Sequence, residues 1–194
     1  MTDGPLPAPA PPIAVGYGEV VTDDPAGHSR NGASLFADPQ AWLMAEALEH
    51  AVRNCGADLT TVGDQVGMIT VSEVCTLDTM RGIAKATARG RLSPLKFAGA
   101  NPGSVAGLPC IRQGFRGPTL ALSMPPADGA ATAATLAAGW LRQGSARYVA
   151  IATHRQDDDV HAVRCLILQS AHAPEPHAEP DLSRLTAPAH DRRP

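Results

Sequence analysis

Runs of β-branched and aliphatic residues alternate with helical stretches along this chain, and that alternation limits its fold more than any other feature. The strand-like runs are Ile13 to Val21 (IAVGYGEVV), Val66 to Val71 (VGMITV), Thr119 to Met124, Tyr148 to Thr153 (YVAIAT) and Ala162 to Gln169 (AVRCLILQ). Between them, Asp38-Pro39 supplies an N-cap and first-turn pair for a helix to about Asn54. Trp42, Ala45, Leu48 and Val52 share one face of it, and Gly56 supplies the stop. A second helix is predicted over Thr76 to Arg89, with Leu77, Met80, Ile83 and Ala84 at helical spacing and Gly90 after it. A third opens at Asn101-Pro102, is bent by Pro109 and ends at Gly114. A fourth covers Ala127 to Gln143 and closes at Gly144.

The predicted order is βαβα(α)βαββ. Strands separated by helices imply an α/β fold with a mostly parallel sheet and right-handed crossovers. The last two runs are joined only by the polar turn His154–Val160. A parallel pair needs a crossover of about a dozen residues or more, so the last strand is antiparallel. Chain length fits this reading: 194 residues make one medium domain with a sizeable core. Aromatics are only 4%, so Ala, Val, Leu and Ile must build that core. The fourth helix (ADGAATAATLAAG) has no polar face. It reads either as a helix sandwiched between layers or as one that forms from alanine propensity alone.

Both ends are low in complexity. Residues 1–12 (MTDGPLPAPAPP) favour extended polyproline, and 171–194 (AHAPEPHAEPDLSRLTAPAHDRRP) have almost no apolar periodicity. Both are expected to be disordered, which leaves a domain over 13–170. The N-terminus lacks the basic and apolar regions of a signal peptide, and no stretch approaches a membrane span, so the cytoplasm is expected. A net charge of −3 gives no electrostatic case for nucleic acid. The four cysteines contain no CxxC pair and read as buried small hydrophobes.

A set of motifs carries a resemblance. Ser93-Pro94, then Ala106-Gly107, then Gly114-Phe115-Arg116-Gly117-Pro118-Thr119, then a short strand and the small-residue helix occur in that order. The opening strand and the Gly144-Ser145-Ala146-Arg147 approach to YVAIAT fit the same pattern. Over 13–170 this resembles the N-terminal half of β-ketoacyl synthases, in the thiolase-like superfamily. The resemblance implies half of a thiolase-like fold, with a five-stranded, mostly parallel sheet whose last strand is antiparallel. It also implies a nucleophilic cysteine at the head of the helix after Gly-Pro, where helix-end N–H groups stabilise a thiolate and an oxyanion.

Counting from Gly117-Pro118, that position is Pro126, which is no nucleophile and has no N–H. Its neighbours Ser123, Met124, Pro125, Ala127 and Asp128 include no cysteine. The family's two catalytic histidines belong to a second half, expected to be missing here, and none of the seven histidines matches a family motif. These are expected in loops, on a helix surface or in the tail. The link between strands four and five is short where ketosynthases carry a long insertion. The pattern is nearest in character to chain-length-factor subunits, which lack the cysteine and pair with an active ketosynthase. Those carry a Gln at this position and retain both halves, so the analogy supplies a type of role.

The resemblance thus implies a catalytically silent subunit supporting polyketide or fatty-acid-type synthesis, with no cofactor. It would be a homodimer, or a heteromer with a ketosynthase, joined along the edge strand Thr119, Leu120, Ala121 and Leu122. The fourth helix is expected to leave an apolar flank for a partner to cover. An alternative is a small acyl-thioester enzyme with a site rebuilt near Ser123, Met124, Asp128 or Cys110. Another is a degenerate remnant.

The turn holding His154, Asp157, Asp158, Asp159 and His161 offers hard ligands, but it lacks a metal-loop pattern and reads as a solvated hairpin, so no metal is expected. Gly16-Tyr17-Gly18 lacks the third glycine of a dinucleotide loop. Arg89, Arg91 and Lys96 form a small basic stretch, read as a solvated loop or as a surface that meets an acyl carrier protein.

Overall fold

The computed structural model describes residues 11–30, 36–91, 93–170 and 180–189. Its sheet has five strands: β1 (Ile13–Thr22), β2 (Val66–Ser72), β3 (Thr119–Leu122), β4 (Tyr148–Asp157) and β5 (Val160–Gln169), in the spatial order β1-β5-β4-β2-β3. β2 runs parallel to both β3 and β4, and β5 lies antiparallel between β4 and β1. Among the described residues the α-helices are α1 (Pro39–Arg53), α2 (Leu77–Thr87), α3 (Pro94–Gly99), α4 (Ser104–Gln113), α5 (Pro126–Arg142) and α6 (Ser183–Thr186).

The predicted order holds, and β2 shows why its run is apolar without alternation. All seven of its residues are buried, because helices cover both faces of the sheet. On one face α1 and α4 pack Leu43, Leu48, Val105 and Leu108 against Met68, Ala150, Val163 and Ile167. On the other, Ala130, Ala133, Ala137 and Leu141 of α5 pack against Ile69, Val71, Val149 and Ile151. Small residues let α5 lie close to the sheet. A Cβ on Gly129 would collide with Val71 and sit 2.9 Å from Met124 Cγ. α1 approaches β1 still more closely, since a Cβ on Gly18 would overlap the Ala47 carbonyl and the Ala51 nitrogen. Gly18→Ala must push α1 off β1, and an expected loss of about 3 kcal/mol is readable as a lower denaturant midpoint.

Capping follows the predicted chemistry. Asp38 Oδ1 accepts the Gln40 N–H at 2.9 Å, and its Oδ2 accepts the Thr79 N–H at 2.9 Å. One carboxylate therefore serves the first turns of both α1 and α2. Gly114 ends α4 in the left-handed region at φ 72°.

Three expectations need correction. Residues 94–99 form the helix α3, which was not predicted, and the third predicted helix begins at Ser104 rather than at Asn101-Pro102. The polar turn His154–Val160 is mostly strand: pairing continues to Asp157↔Val160, so Asp158 and Asp159 alone turn the hairpin. Asp158 takes φ 53°, a conformation Asp tolerates. His154 and His161 accordingly lie on strands and are buried, rather than in a solvated loop.

The third correction concerns the C-terminal segment expected to be disordered. Its described part, 180–189, packs on the sheet as a strap. Leu185 is fully buried among the α5-side core residues, with Leu182 beside it. Thr153 Oγ donates to the Leu185 carbonyl at 2.6 Å. The Arg164 guanidinium donates to the carbonyls of Ala187 and Pro188 at 2.6 and 2.9 Å, and to Glu19 at 2.9 Å. The strap thus packs on the sheet beside α5. The exposed positions of α5 are Ala127, Asp128, Ala131, Thr132, Thr135 and Arg142, none of them a large hydrophobe. Residues 1–10, 171–179 and 190–194 of the expected tails lie outside the described residues.

Candidate functional site

The C-terminal ends of the parallel strands gather Ser72, Thr153 and His154 among the buried polar side chains of the described residues. This is where open α/β sheets place their sites, because loops and helix N-termini converge there. β3 ends at Leu122, Ser123 and Met124 follow, and α5 starts at Pro126. Pro125 and Pro126 remove two N–H groups from the head of α5, and Asp128 stands exposed in its first turn. This helix head borders an open cavity of about 550 Å³ lined by Glu73, Val74, Pro125, Pro126, His154 and Gln156, among others.

Behind it runs a continuous polar row drawn from β2, β4 and β5 and from the segments that follow β2 and β3. Ser123 Oγ lies 3.3 Å from Cys75 Sγ. The Cys75 thiol donates to the Ser72 carbonyl at 3.2 Å, so the Ser123 hydroxyl donates to sulfur. The Cys75 N–H donates to Ser72 Oγ at 3.0 Å. Ser72 Oγ lies 3.2 Å from His154 Nδ1, and His154 Nε2 lies 3.0 Å from His161 Nδ1. The two imidazoles are stacked, with centroids 5.2 Å apart.

Ser72 Oγ accepts from Cys75 and keeps both its proton and a second lone pair, so it can donate to or accept from His154 Nδ1. One proton bridges His154 Nε2 and His161 Nδ1. Burial pulls His154 down to about 3, with neighbouring His161 adding to the effect, so the ring is neutral. His161 is also lowered by burial, against the opposing pull of Asp78, Asp159 and Asp38.

His161 and Cys75 line a second, narrow cavity of about 70 Å³, together with Asp38, Gln40, Asp78 and Arg81. Burial raises the Asp38 carboxyl, and its hydrogen bonds from Thr79 and Gln40 partly offset that.

The predicted site residues are not all brought together. Ser123 joins the polar row, Met124 packs against Gly129, and Asp128 faces solvent. Cys110 lies in the core on the α1/α4 side of the sheet, where burial pushes its thiol up to about 11. Cys75, Ser72, His154 and His161 were missed as a site. A signal was present, since continuing the β4–β5 register through a two-residue Asp-Asp turn places both histidines in strands. Among the described residues, no group of three or more His, Cys, Asp or Glu is placed to hold a metal ion. Among the same residues, no helix is long and apolar enough to cross a membrane.

No protein-family model matches the chain, and no curated protein matches it. Solved structures do. The chain is similar to the ishigamide ketosynthase/chain length factor at 13% identity and TM-score 0.65, over 86% of this chain and 64% of that one. It is similar to a type II polyketide synthase acyl-carrier protein in complex with its ketosynthase bound to the hexaketide, at 12% identity and TM-score 0.68, over 84% and 63%. A β-ketoacyl synthase from Burkholderia phymatum aligns at 12% identity and TM-score 0.65, over 83% and 59%. The chain spans less than two thirds of the length of each of these relatives. The fold is therefore that of one half of a thiolase-like protein, as found in ketosynthases and chain length factors.

Proposed function

We propose that this chain is a ketosynthase-like subunit without condensing chemistry of its own, which supports polyketide or fatty-acid-type synthesis by pairing with a ketosynthase. The observation that carries this reading is the head of α5. A thiolase-like nucleophile belongs at the β3–α5 junction, and there the chain has Pro125-Pro126, with neither a thiol nor two of the N–H groups an oxyanion needs. One structurally similar protein is a ketosynthase in complex with its chain length factor, and another is an acyl-carrier protein in complex with its ketosynthase. Those complexes support the kind of partner.

β3 supplies the surface. Among the described residues it pairs only with β2, so its other side is open. The Met68 N–H bonds to the Pro118 carbonyl, and Met68 pairs with Thr119. In a parallel ladder, Thr119 and Ala121 then turn their N–H and C=O groups to the open edge. A carrier protein has a separate surface: a groove between α2 and α3 of about 620 Å³, rimmed by Lys85, Arg89, Arg91 and Lys96 over Gly82 and Ala86. Its cations and apolar floor suit an acidic helix.

The test is co-expression with candidate ketosynthases, following co-elution and product length. The wild-type chain is expected to co-elute and to shift chain length. Ala121→Pro removes an outward N–H without touching the β2 ladder, and is expected to weaken pairing at least tenfold. If no ketosynthase is retained and products are unchanged, the reading fails.

A further inference from the structure

Each backbone carbonyl of the strap from Leu185 to Pro188 accepts a hydrogen bond from a side chain of β4 or β5. Thr153 Oγ1 donates to the Leu185 carbonyl at 2.6 Å and Arg155 to that of Thr186 at 3.4 Å. Arg164 donates to those of Ala187 and Pro188 at 2.6 and 2.9 Å. The Ala189 N–H then donates to Asp157 Oδ2 at 2.9 Å. The sheet holds these side chains in place itself. Arg155 Nε donates to both Asp157 oxygens, at 2.7 and 2.9 Å, and Arg164 Nε donates to Glu19 at 2.9 Å.

These hydrogen bonds all go to main-chain atoms of the strap, so they fix the path of an extended segment and leave its sequence nearly free. Ala187 is extended, at φ −57° and ψ 149°. Peptide-recognition sites divide the work in this way: main-chain contacts hold the segment, and pockets for a few side chains select it. Leu185 fills the pocket here, fully buried against the α5-side core, and Ala189 is enclosed at 3% exposure. Thr186, Ala187 and Pro188 between them are half-buried or exposed. Ahead of the leucine, the Arg184 guanidinium lies over the Tyr17 ring, 3.4 Å from its centroid. The selected pattern is therefore a cation, then a leucine, then a small residue four positions on.

We propose that this face of β4 and β5 is a peptide-binding site and that the strap is its resident ligand. Tethering through residues 171–179 keeps the strap at high effective concentration, so the site stays closed to other segments. The ligand in trans is the same segment of a second copy of this chain, admitted when the resident strap lets go. Thr153, Arg155, Asp157 and Arg164 hold its main chain, and the Leu185 pocket selects it. This proposal stands whether or not the chain pairs with a ketosynthase.

The experiment adds a fluorescein-labelled peptide of residues 180–189 to the full chain and follows fluorescence anisotropy. The wild-type chain is expected to bind it weakly, because its own strap competes. Leu185→Asp in the chain puts a carboxylate at the apolar pocket, expels the resident strap and should tighten peptide binding by roughly tenfold or more. Leu185→Ala is the milder release, expected to tighten it at least about threefold, and it decides the matter if Leu185→Asp does not fold. Arg164→Lys, added to Leu185→Ala, keeps a cation beside Glu19 but loses the fork that holds two carbonyls, and should weaken binding by about tenfold. A peptide carrying Leu185→Asp should not bind. Equal affinity in the wild type and Leu185→Ala, or binding that survives Arg164→Lys unchanged, overturns the proposal and leaves the strap a fixed part of the fold.

Discussion

Acidification from pH 7 to pH 4 is expected to destabilise this chain by about 3 kcal/mol through His154 alone. The folded state holds that imidazole neutral, with its pKa lowered to about 3 by burial and by adjacent His161. Unfolded, the ring titrates near its ordinary value of 6.5. Below that value the unfolded ensemble takes up a proton that the folded chain refuses. The stabilisation is therefore complete above about pH 6.5 and is lost as the pH falls toward 3. His161 is lowered too and acts in the same direction, whereas Asp38, raised by burial, acts in the opposite one. Comparing variants isolates the contribution. His154→Asn keeps an acceptor and a donor but cannot titrate. Its denaturant midpoint should fall much less between pH 6.5 and 4 than that of the wild type. Equal pH slopes in the two proteins would sink the assignment.

Truncation after residue 179 is the second large effect. It uncovers the site filled by Leu185, which is fully buried, and strips two carbonyl acceptors from Arg164, itself 5% exposed. Burying a leucine contributes about 2 kcal/mol, and a hydrogen bond to a charged group about 2 kcal/mol. Arg164 keeps Glu19, so it is not left wholly unpaired. The expected loss is about 5 kcal/mol, a large share of a typical domain's stability. It should appear as a lower urea midpoint and as new binding of a hydrophobic dye. Leu185→Ala should produce about half of the shift. A truncated chain as stable as the full one would show that the strap is only resting on the sheet.

Legibility differed by element for physical reasons. α1 could be read because Asp38, Pro39 and the spacing of Trp42, Ala45 and Leu48 all agree. β2 and β4 were visible because burial on both faces demands unbroken apolar runs. α5 was placed correctly to within a residue at each end. The strap was hidden because most of its anchors are backbone carbonyls that accept from Arg164, Arg155 and Thr153, and a carbonyl leaves no mark in a sequence. One fully buried leucine in a Pro-rich run makes no period. The polar row was hidden for a related reason. Histidines beside three aspartates read as solvent, yet the register of β4 and β5 turns both rings inward. Cys75 lies in a turn, where no periodicity announces a neighbour 48 residues away.

The position of β5 has a consequence for how the molecule comes into being. Among the described residues β1 pairs only with β5, and their ion pair joins residues 145 apart in sequence. A ribosome emits the first strand long before the last, so β1 must wait, edge bare, while every helix from α1 to α5 is made. Slow closure of such distant contacts is the general cost of this topology. The nascent chain thus carries ten residues of unpaired strand until β5 is made, an exposed edge of the kind that favours association.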